Sequence, residues 1–364
     1  MKVVLPLAAP HGRLAGVAAV ASAAEDDGFD GVSCNETASD PMLELTVAAG
    51  ATSRVGLMTN ILVAFARSPM TLATQARALQ DYSGGRLILG LGSQVRAHIE
   101  RRFSMPWGAP AARMAEYLSA LEAIWSAWDT GAPLDFRGKF YTHTLMAPMF
   151  TPECEYSPPP VYLAGVGERM TEVAGERAAG FFIHPFSTER YLREVTLPAL
   201  TRGRRAAGLQ LSGFEVVCAS LVVTGRDEAE FARSDRAVRE RLAFYASTPS
   251  YRPVLALHGW DDLGEELHQL SRTADPDRWH RMGALIDDDV LATFALVGTP
   301  DEIGPQFVAR FGGLATQYKL NQTGVPDPEL ARIIGQGVRE AGTPPGEDGS
   351  SSRPAAEVGA RPRP

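Results

Sequence analysis

Residues 79–93 read LQDYSGGRLILGLGS. The first residues finish an amphipathic stretch that opens at Pro69. Ser83, Gly84 and Gly85 end it, because glycine takes the left-handed conformation that closes a helix at little cost. Arg86 then leads into LILGLG, an apolar run interrupted only by glycine. A strand with one wet face would alternate, whereas a continuous run belongs to a strand covered on both faces, as in a parallel sheet. A helix that turns tightly into such a strand is part of a β/α unit.

The same unit recurs in both directions along the chain. Strand-like runs occupy residues 2–7, 31–34, 55–60, 87–91, 161–164, 181–184, 214–223 and 316–320. Asp40-Pro41, Ser68-Pro69, Thr299-Pro300 and Asp327-Pro328 each put a capping side chain before a proline suited to the first helical position. Thr299 and Glu302 have capping-box spacing. Residues 14–24 (LAGVAAVASAA) end like a secretory leader, but the polar residues that follow and Gly28 read as a helix end. Eight strands, each followed by a helix, predict an α/β protein: a (β/α)8 TIM barrel closed by its last strand. A single barrel domain is expected over residues 1–341. Two stretches exceed an ordinary connection, about 129–160 and 248–289, and either is long enough to form a lid. Residues 342–364 are rich in Gly, Pro, Ser and Arg, the composition of a disordered tail.

Composition removes other classes. With 35 basic and 43 acidic residues the net charge is −8, which disfavours nucleic acid or an anionic membrane as main partner. No apolar run reaches the ~20 residues of a membrane span. Lysine occurs only at Lys2, Lys139 and Lys319; every other basic residue is arginine. Cys34, Cys154 and Cys218 are scattered, which fits a reducing cytoplasm and neither a disulfide framework nor a structural zinc site. His11, His98, His143 and His184 lack the close pairing that a metal site would use, so no metal ligands are assigned.

Four ordered motifs carry a resemblance: GFDG (28–31), RSP (67–69), the 79–93 stretch, and VYLAGVG (161–167). Together they resemble the bacterial luciferase-like monooxygenase superfamily. QVRAHIERRF (94–103), MPW (105–107), FYASTP (244–249) and LHGW (257–260) resemble an actinobacterial subgroup of oxidoreductases dependent on the deazaflavin coenzyme F420. The likeness spans about residues 1–340. It implies hydride transfer to or from a small organic substrate with coenzyme F420 in the barrel mouth. The alternative is FMN with a separate reductase and monooxygenation. It also implies a homodimer through helices at 41–53 and 69–82.

The resemblance assigns positions as well. Ala164, Gly165, Val166, Gly167 and Met170 would seat the cofactor phosphate, consistent with a glycine turn opening a helix. Thr59, Asn60 and Ile61 would form a bulge with a non-proline cis bond pressed on the ring. Ser93 and His98 would line the ring edge or tail. Glu36 would accept a hydrogen bond or move a proton; relatives often follow this acid with His, where this chain has Thr37. From the residues themselves, His11 and His184 are candidate proton carriers near neutral pH. Phe65 and Trp107 are candidates for the substrate pocket, from an aromatic set that includes Phe136, Tyr141, Phe186, Tyr245 and Trp260. Two other classes stay open: a non-catalytic flavin-binding or ligand-sensing barrel, and a metal-dependent hydrolase on the same fold.

Overall fold

In the computed structural model, residues 1–7, 13–321 and 327–342 are described. Eight parallel strands form the centre: β1 (Lys2–Pro6), β2 (Gly31–Cys34), β3 (Gly56–Thr59), β4 (Leu87–Gly92), β5 (Val161–Ala164), β6 (Gly180–Ile183), β7 (Glu215–Ala219) and β8 (Gln317–Lys319). Neighbours run β3-β2-β1-β8-β7-β6-β5-β4, and β4 pairs back onto β3 with Leu57 opposite Leu87. The sheet is therefore a closed barrel, as the β/α alternation predicts. The outer ring is α1 (Val17–Asp26), α2 (Pro41–Ala51), α3 (Pro69–Tyr82), α4 (Pro110–Thr130), α5 (Glu168–Arg177), α6 (Leu197–Ala206), α7 (Pro300–Phe311) and α8 (Pro328–Ala341).

Local chemistry sets the helix starts. Asp40 accepts the Met42 N–H, Ser68 accepts the Thr71 N–H, and Asp327 accepts the N–H groups of Glu329 and Leu330. At α7 the Glu302 carboxylate accepts the Thr299 N–H at 2.8 Å. Each bond satisfies a backbone group that the helix leaves unpaired.

Most apolar residues lie between barrel and helices, in one large core. A smaller core fills the barrel. Val4, Met58, Tyr162 and Val217 come from β1, β3, β5 and β7, the alternate-strand layer expected of this architecture, with Phe182 packed among them.

The long stretches behave differently from each other. Residues 129–160 are tied to α4 and the end of α3, and none of them lines the cavity at the barrel mouth. Glu116 on α4 accepts the N–H groups of Lys139, Phe140 and Tyr141, and Trp128 donates to the Met146 sulfur. The second excursion is wider than residues 248–289. The apolar run 214–223 divides at Ser220: β7 stays in the barrel, while Leu221–Val223 leaves to pair in parallel with Ala295–Val297. Helix Glu228–Ala246 and four short helices between them enclose a separate core around Leu242, Leu255, Leu267 and Phe294. This satellite bears on the barrel mouth. Among the described residues no helix is long and apolar enough to cross a membrane. The expected tail lies, from residue 343 onward, outside the described residues.

Candidate functional site

The mouth of the barrel is shaped by what happens after β3. The Asn60–Ile61 peptide bond is cis. The chain bulges there, and Leu62–Val63 resumes pairing with β4 at Leu91 and Gly92. Thr59 fixes the near side: its hydroxyl donates to the Gly90 carbonyl at 2.7 Å and accepts the Gly90 N–H at 2.8 Å. The glycines of LILGLG make room. A Cβ on Gly90 would stand 1.9 Å from the Thr59 carbonyl oxygen, and one on Gly92 would stand 2.9 Å from the Ile61 side chain.

Glu36 fixes the far side. One carboxylate oxygen accepts the Val63 N–H at 2.7 Å, and both accept Arg67 Nη1 at 2.9 and 2.8 Å. Arg67 Nη2 donates to Asp40 at 2.8 Å. Burial alone would push the Arg67 guanidinium down, but the bonds to Glu36 and Asp40 hold it above its ordinary value. The Glu36 N–H donates to the Ile61 carbonyl, and the Asn60 N–H donates to the Cys34 carbonyl. Glu36 is thus a clamp on the bulge. Its oxygens are already engaged, which opposes the proton-carrying role expected of it.

A cavity of about 360 Å³ opens at the carboxyl ends of the strands. Asn60 and Ile61 form one wall, next to Asn35, Glu36 and Thr37 from the end of β2. Ser93, Gln94 and Val95 continue from β4, and Ala164, Gly165 and Val166 from β5. Beside Gly165 the methylene of Met170 fills the space a Cβ would need, at 2.3 Å. Gly167 has φ +83°, which a side chain would strain, and α5 starts immediately after it. Backbone approach and a ten-residue helix N-terminus make this turn suited to an anion. Val95 and Val166 remain exposed at the rim.

His184 follows β6 into the cavity. Its Nδ1 accepts the Phe186 N–H at 3.1 Å, so the proton sits on Nε2, which is 3.1 Å from the Tyr251 hydroxyl. The ring stacks on Tyr251 at 4.6 Å and meets the edge of Tyr245 at 4.8 Å. Burial, aided by the charge of Lys319, pushes its pKa down to about 4. At neutral pH it is an uncharged ring with both nitrogens engaged, a wall and anchor point rather than a free base.

Lys319 ends β8 and faces the same cavity. Its register partners are Val4 on β1 and Ala219 on β7. It is 9% exposed, and its Nζ donates to Asn35 Oδ1 at 3.2 Å. Burial pushes its pKa down to about 8. A second, mostly apolar cavity of about 410 Å³ between α1 and α8 shares Asn35, Lys319 and Asn321 with the first.

Of the residues expected at a site, the structure brings Glu36, Asn60, Ile61, Ser93, Ala164, Gly165, Val166 and His184 to this cavity. Gly167 lines a smaller adjoining hollow with Gly165 and Val166. Thr59 and Met170 stand behind the wall they support. His98 does not reach the cavity: it is exposed on the turn His98–Arg102. Phe65 and Trp107 do not reach it either. Phe65 is fully buried, edge-on to Trp107 at 6.1 Å with the Arg113 guanidinium 4.4 Å over its ring. The short 3-10 turn Ala64–Ala66 after the bulge sends it outward into the helix layer. His11 lies outside the described residues. Sequence reasoning passed over Asn35, Gln94, Val95, Tyr251 and Lys319. Only Lys319 carried a signal, as one of three lysines and, with Lys2, one of two in the strand-like runs. Among the described residues no group of three metal-binding side chains gathers.

Comparison with known proteins agrees with this geometry. The family profile of luciferase-like monooxygenases matches residues 4–317. An uncharacterized protein of Mycobacterium tuberculosis, Rv1360, is 54% identical over 292 residues, 80% of this chain and 85% of that one. The 5,10-methylenetetrahydromethanopterin reductase of Methanopyrus kandleri is 25% identical over 90% of this chain and 95% of its own length. The solved structure of the coenzyme F420 dependent tetrahydromethanopterin reductase from Methanopyrus kandleri superposes with a TM-score of 0.76 at 22% identity, covering 94% of this chain and 99% of that one. An F420-dependent secondary alcohol dehydrogenase in complex with an F420-acetone adduct superposes with a TM-score of 0.70 at 18% identity, covering 93% and 98%. With its closed barrel, its cis bulge and a profile match over most of its length, the chain belongs to the luciferase-like monooxygenase family.

Proposed function

We propose that this protein is an oxidoreductase that seats coenzyme F420 in the barrel mouth and acts by hydride transfer to or from a small organic substrate. The observation that carries the reading is the pairing of two features on one 360 Å³ cavity: the Asn60–Ile61 bulge on one wall and the Gly165–Gly167 turn on the next. A cavity of this size suits a tricyclic ring. The turn suits an acidic tail, because α5 presents its positive end there. The solved F420-dependent reductase and secondary alcohol dehydrogenase, each matched over nearly its whole length, support the choice of cofactor.

The chain's own residues would do the following. Asn60 and Ile61, clamped by Thr59 and Glu36, would give the ring a rigid backing. Backbone groups at Gly165 and Gly167 would hold the phosphate. Tyr245, Tyr251 and the neutral His184 would close the opposite side and exclude water. Coenzyme F420, when bound, would supply the hydride-transferring carbon. The exposed side chains of Leu43 on α2 and Tyr82 on α3 are where a second copy would dock.

Titration of the full chain with coenzyme F420 and with FMN, followed by absorbance and oxygen uptake, tests this. Saturable F420 binding without oxygen uptake is the expected result. FMN binding with substrate-dependent oxygen consumption would replace the cofactor assignment and require a separate flavin reductase. Affinity for neither would end the reading.

A further inference from the structure

Lys319 is an unbalanced charge. Its pKa of about 8 leaves it an ammonium at pH 7, yet it is buried, and among the described residues its hydrogen-bond partner is a neutral amide, Asn35. Among the described residues no carboxylate lies within ion-pair distance of it. The stretches outside them that adjoin β1 and β8, residues 8–12 and 322–326, contain no Asp or Glu. Glu36 shares the cavity but is neutralised by Arg67. The other titratable groups around Lys319 are the Cys34 thiol, which is bonded to Glu44, and neutral His184, with Tyr245 and Tyr251 further along the wall and, in the second cavity, Asp27 and Asp327, the latter paired with Arg226. A buried cation is costly unless something pairs with it.

The position is as telling as the charge. In the strand order β8 stands three places from β3, and the Lys319 side chain reaches over the barrel mouth to Asn35, next to the Asn60–Ile61 bulge. Among the described residues Nζ has no second hydrogen-bond partner, and Asn35 holds the amine in place through its oxygen.

We propose that Lys319, held by Asn35, is the anchor for a negatively charged oxygen of the substrate, which makes carboxylate- or enolate-bearing compounds the substrate class of this site. The placement on the substrate side rests on the proposed seat of the cofactor; the anion site itself does not.

The small lysine count makes the test direct. Uniform 15N-lysine labelling gives three side-chain Nζ signals, from Lys2, Lys139 and Lys319. Butyrate is the probe and butyramide, its uncharged counterpart, the control. Butyrate is expected to raise the apparent pKa of the Lys319 Nζ in a saturable way, with butyramide inert and the other two lysines unmoved. Lys319→Met is expected to abolish butyrate binding while the Tm changes little, and Lys319→Arg to restore part of it. The response should persist when the chain is saturated with the chromophore it binds. Equal effects of butyrate and butyramide, or butyrate binding unchanged in Lys319→Met, would overturn the anion site. Exclusion of butyrate by bound chromophore would overturn its assignment to substrate. Failure of both F420 and FMN to bind, with the Nζ response intact, would strike the cofactor reading and leave the anion site standing.

Discussion

Two carboxylates show how much a single side chain holds in this protein. Glu25 reaches from the end of α1 to accept the N–H groups of Ser53, Arg54 and Val55 and the Ser53 hydroxyl, tying the turn before β3. Burial resists its ionisation, but those donors lower its pKa from 4.5 to about 2. A folded pKa below the unfolded one gives stability that is complete above about pH 4.5 and is lost as pH falls toward 2. Glu25→Gln should therefore cost about 1–2 kcal/mol at pH 7, and the gap between variant and parent should shrink by pH 3. Urea unfolding at both pH values reads it; a gap independent of pH would refute the assignment. Glu36 makes a different demand. With side chains 7% and 13% exposed, Glu36 and Arg67 form a buried pair. Arg67→Met would leave the carboxylate charged and unpaired, at a cost of about 3–5 kcal/mol. The double variant Glu36→Gln with Arg67→Met should be less damaged than Arg67→Met alone, because no buried charge remains.

At the scale of elements, β3 and β4 are built as one device. Gly90→Ala would drive a methyl group into the Thr59 carbonyl and the Phe182 ring, 1.9 and 2.5 Å away. Neither neighbour has room to retreat, so a loss of about 3 kcal/mol is expected, with the bulge displaced. A thermal melt checks the first effect, and chromophore titration of the folded fraction checks the second. The sequence announced this element only in part. LILGLG reads as a buried strand, but the reason for its glycines lies on β3, some thirty residues away. Helix starts were readable because cap and proline chemistry is local: α2, α3, α7 and α8 begin at Pro41, Pro69, Pro300 and Pro328 as the sequence predicts. The cis bond at Asn60–Ile61 came from family resemblance, not from local preference. Side-chain direction was the weak point. The bulge and the turn after it reset the alternation, so Phe65 points away from the cavity. Lys319 can be seen to face inward only once β8 is in register with β1 and β7.

At the scale of the whole molecule, the cavity depends on the contact between barrel and satellite. The run 214–223 looked like one strand because both of its halves are buried, one in each core, and apolar content does not reveal that the chain changes partners at Ser220. The two bodies meet where Phe186, just after β6, stacks on Phe294 of the satellite at 4.4 Å with planes 17° apart. Thr188 and His258 bond at 2.8 Å beside them, and Arg190 reaches the Leu257 carbonyl. Tyr245 and Tyr251, the satellite's contribution to the cavity wall, are held against His184 by the same contact. Phe294→Ala would remove a ring that is 1% exposed and leave a void in the satellite's core. The cost should be about 3–5 kcal/mol, borne mainly by the satellite, since Phe294 packs in its core, which adjoins the barrel core through Val222, Leu296 and Phe186. Local opening then precedes global unfolding. Hydrogen exchange should rise across 221–297 while β1 to β6 keep their protection. Affinity for the bound chromophore should fall about tenfold or more, because each 1.4 kcal/mol of lost wall ordering weakens binding by that factor. Uniformly faster exchange in barrel and satellite alike would mean that the two share one cooperative core, and that the wall is not a separable element.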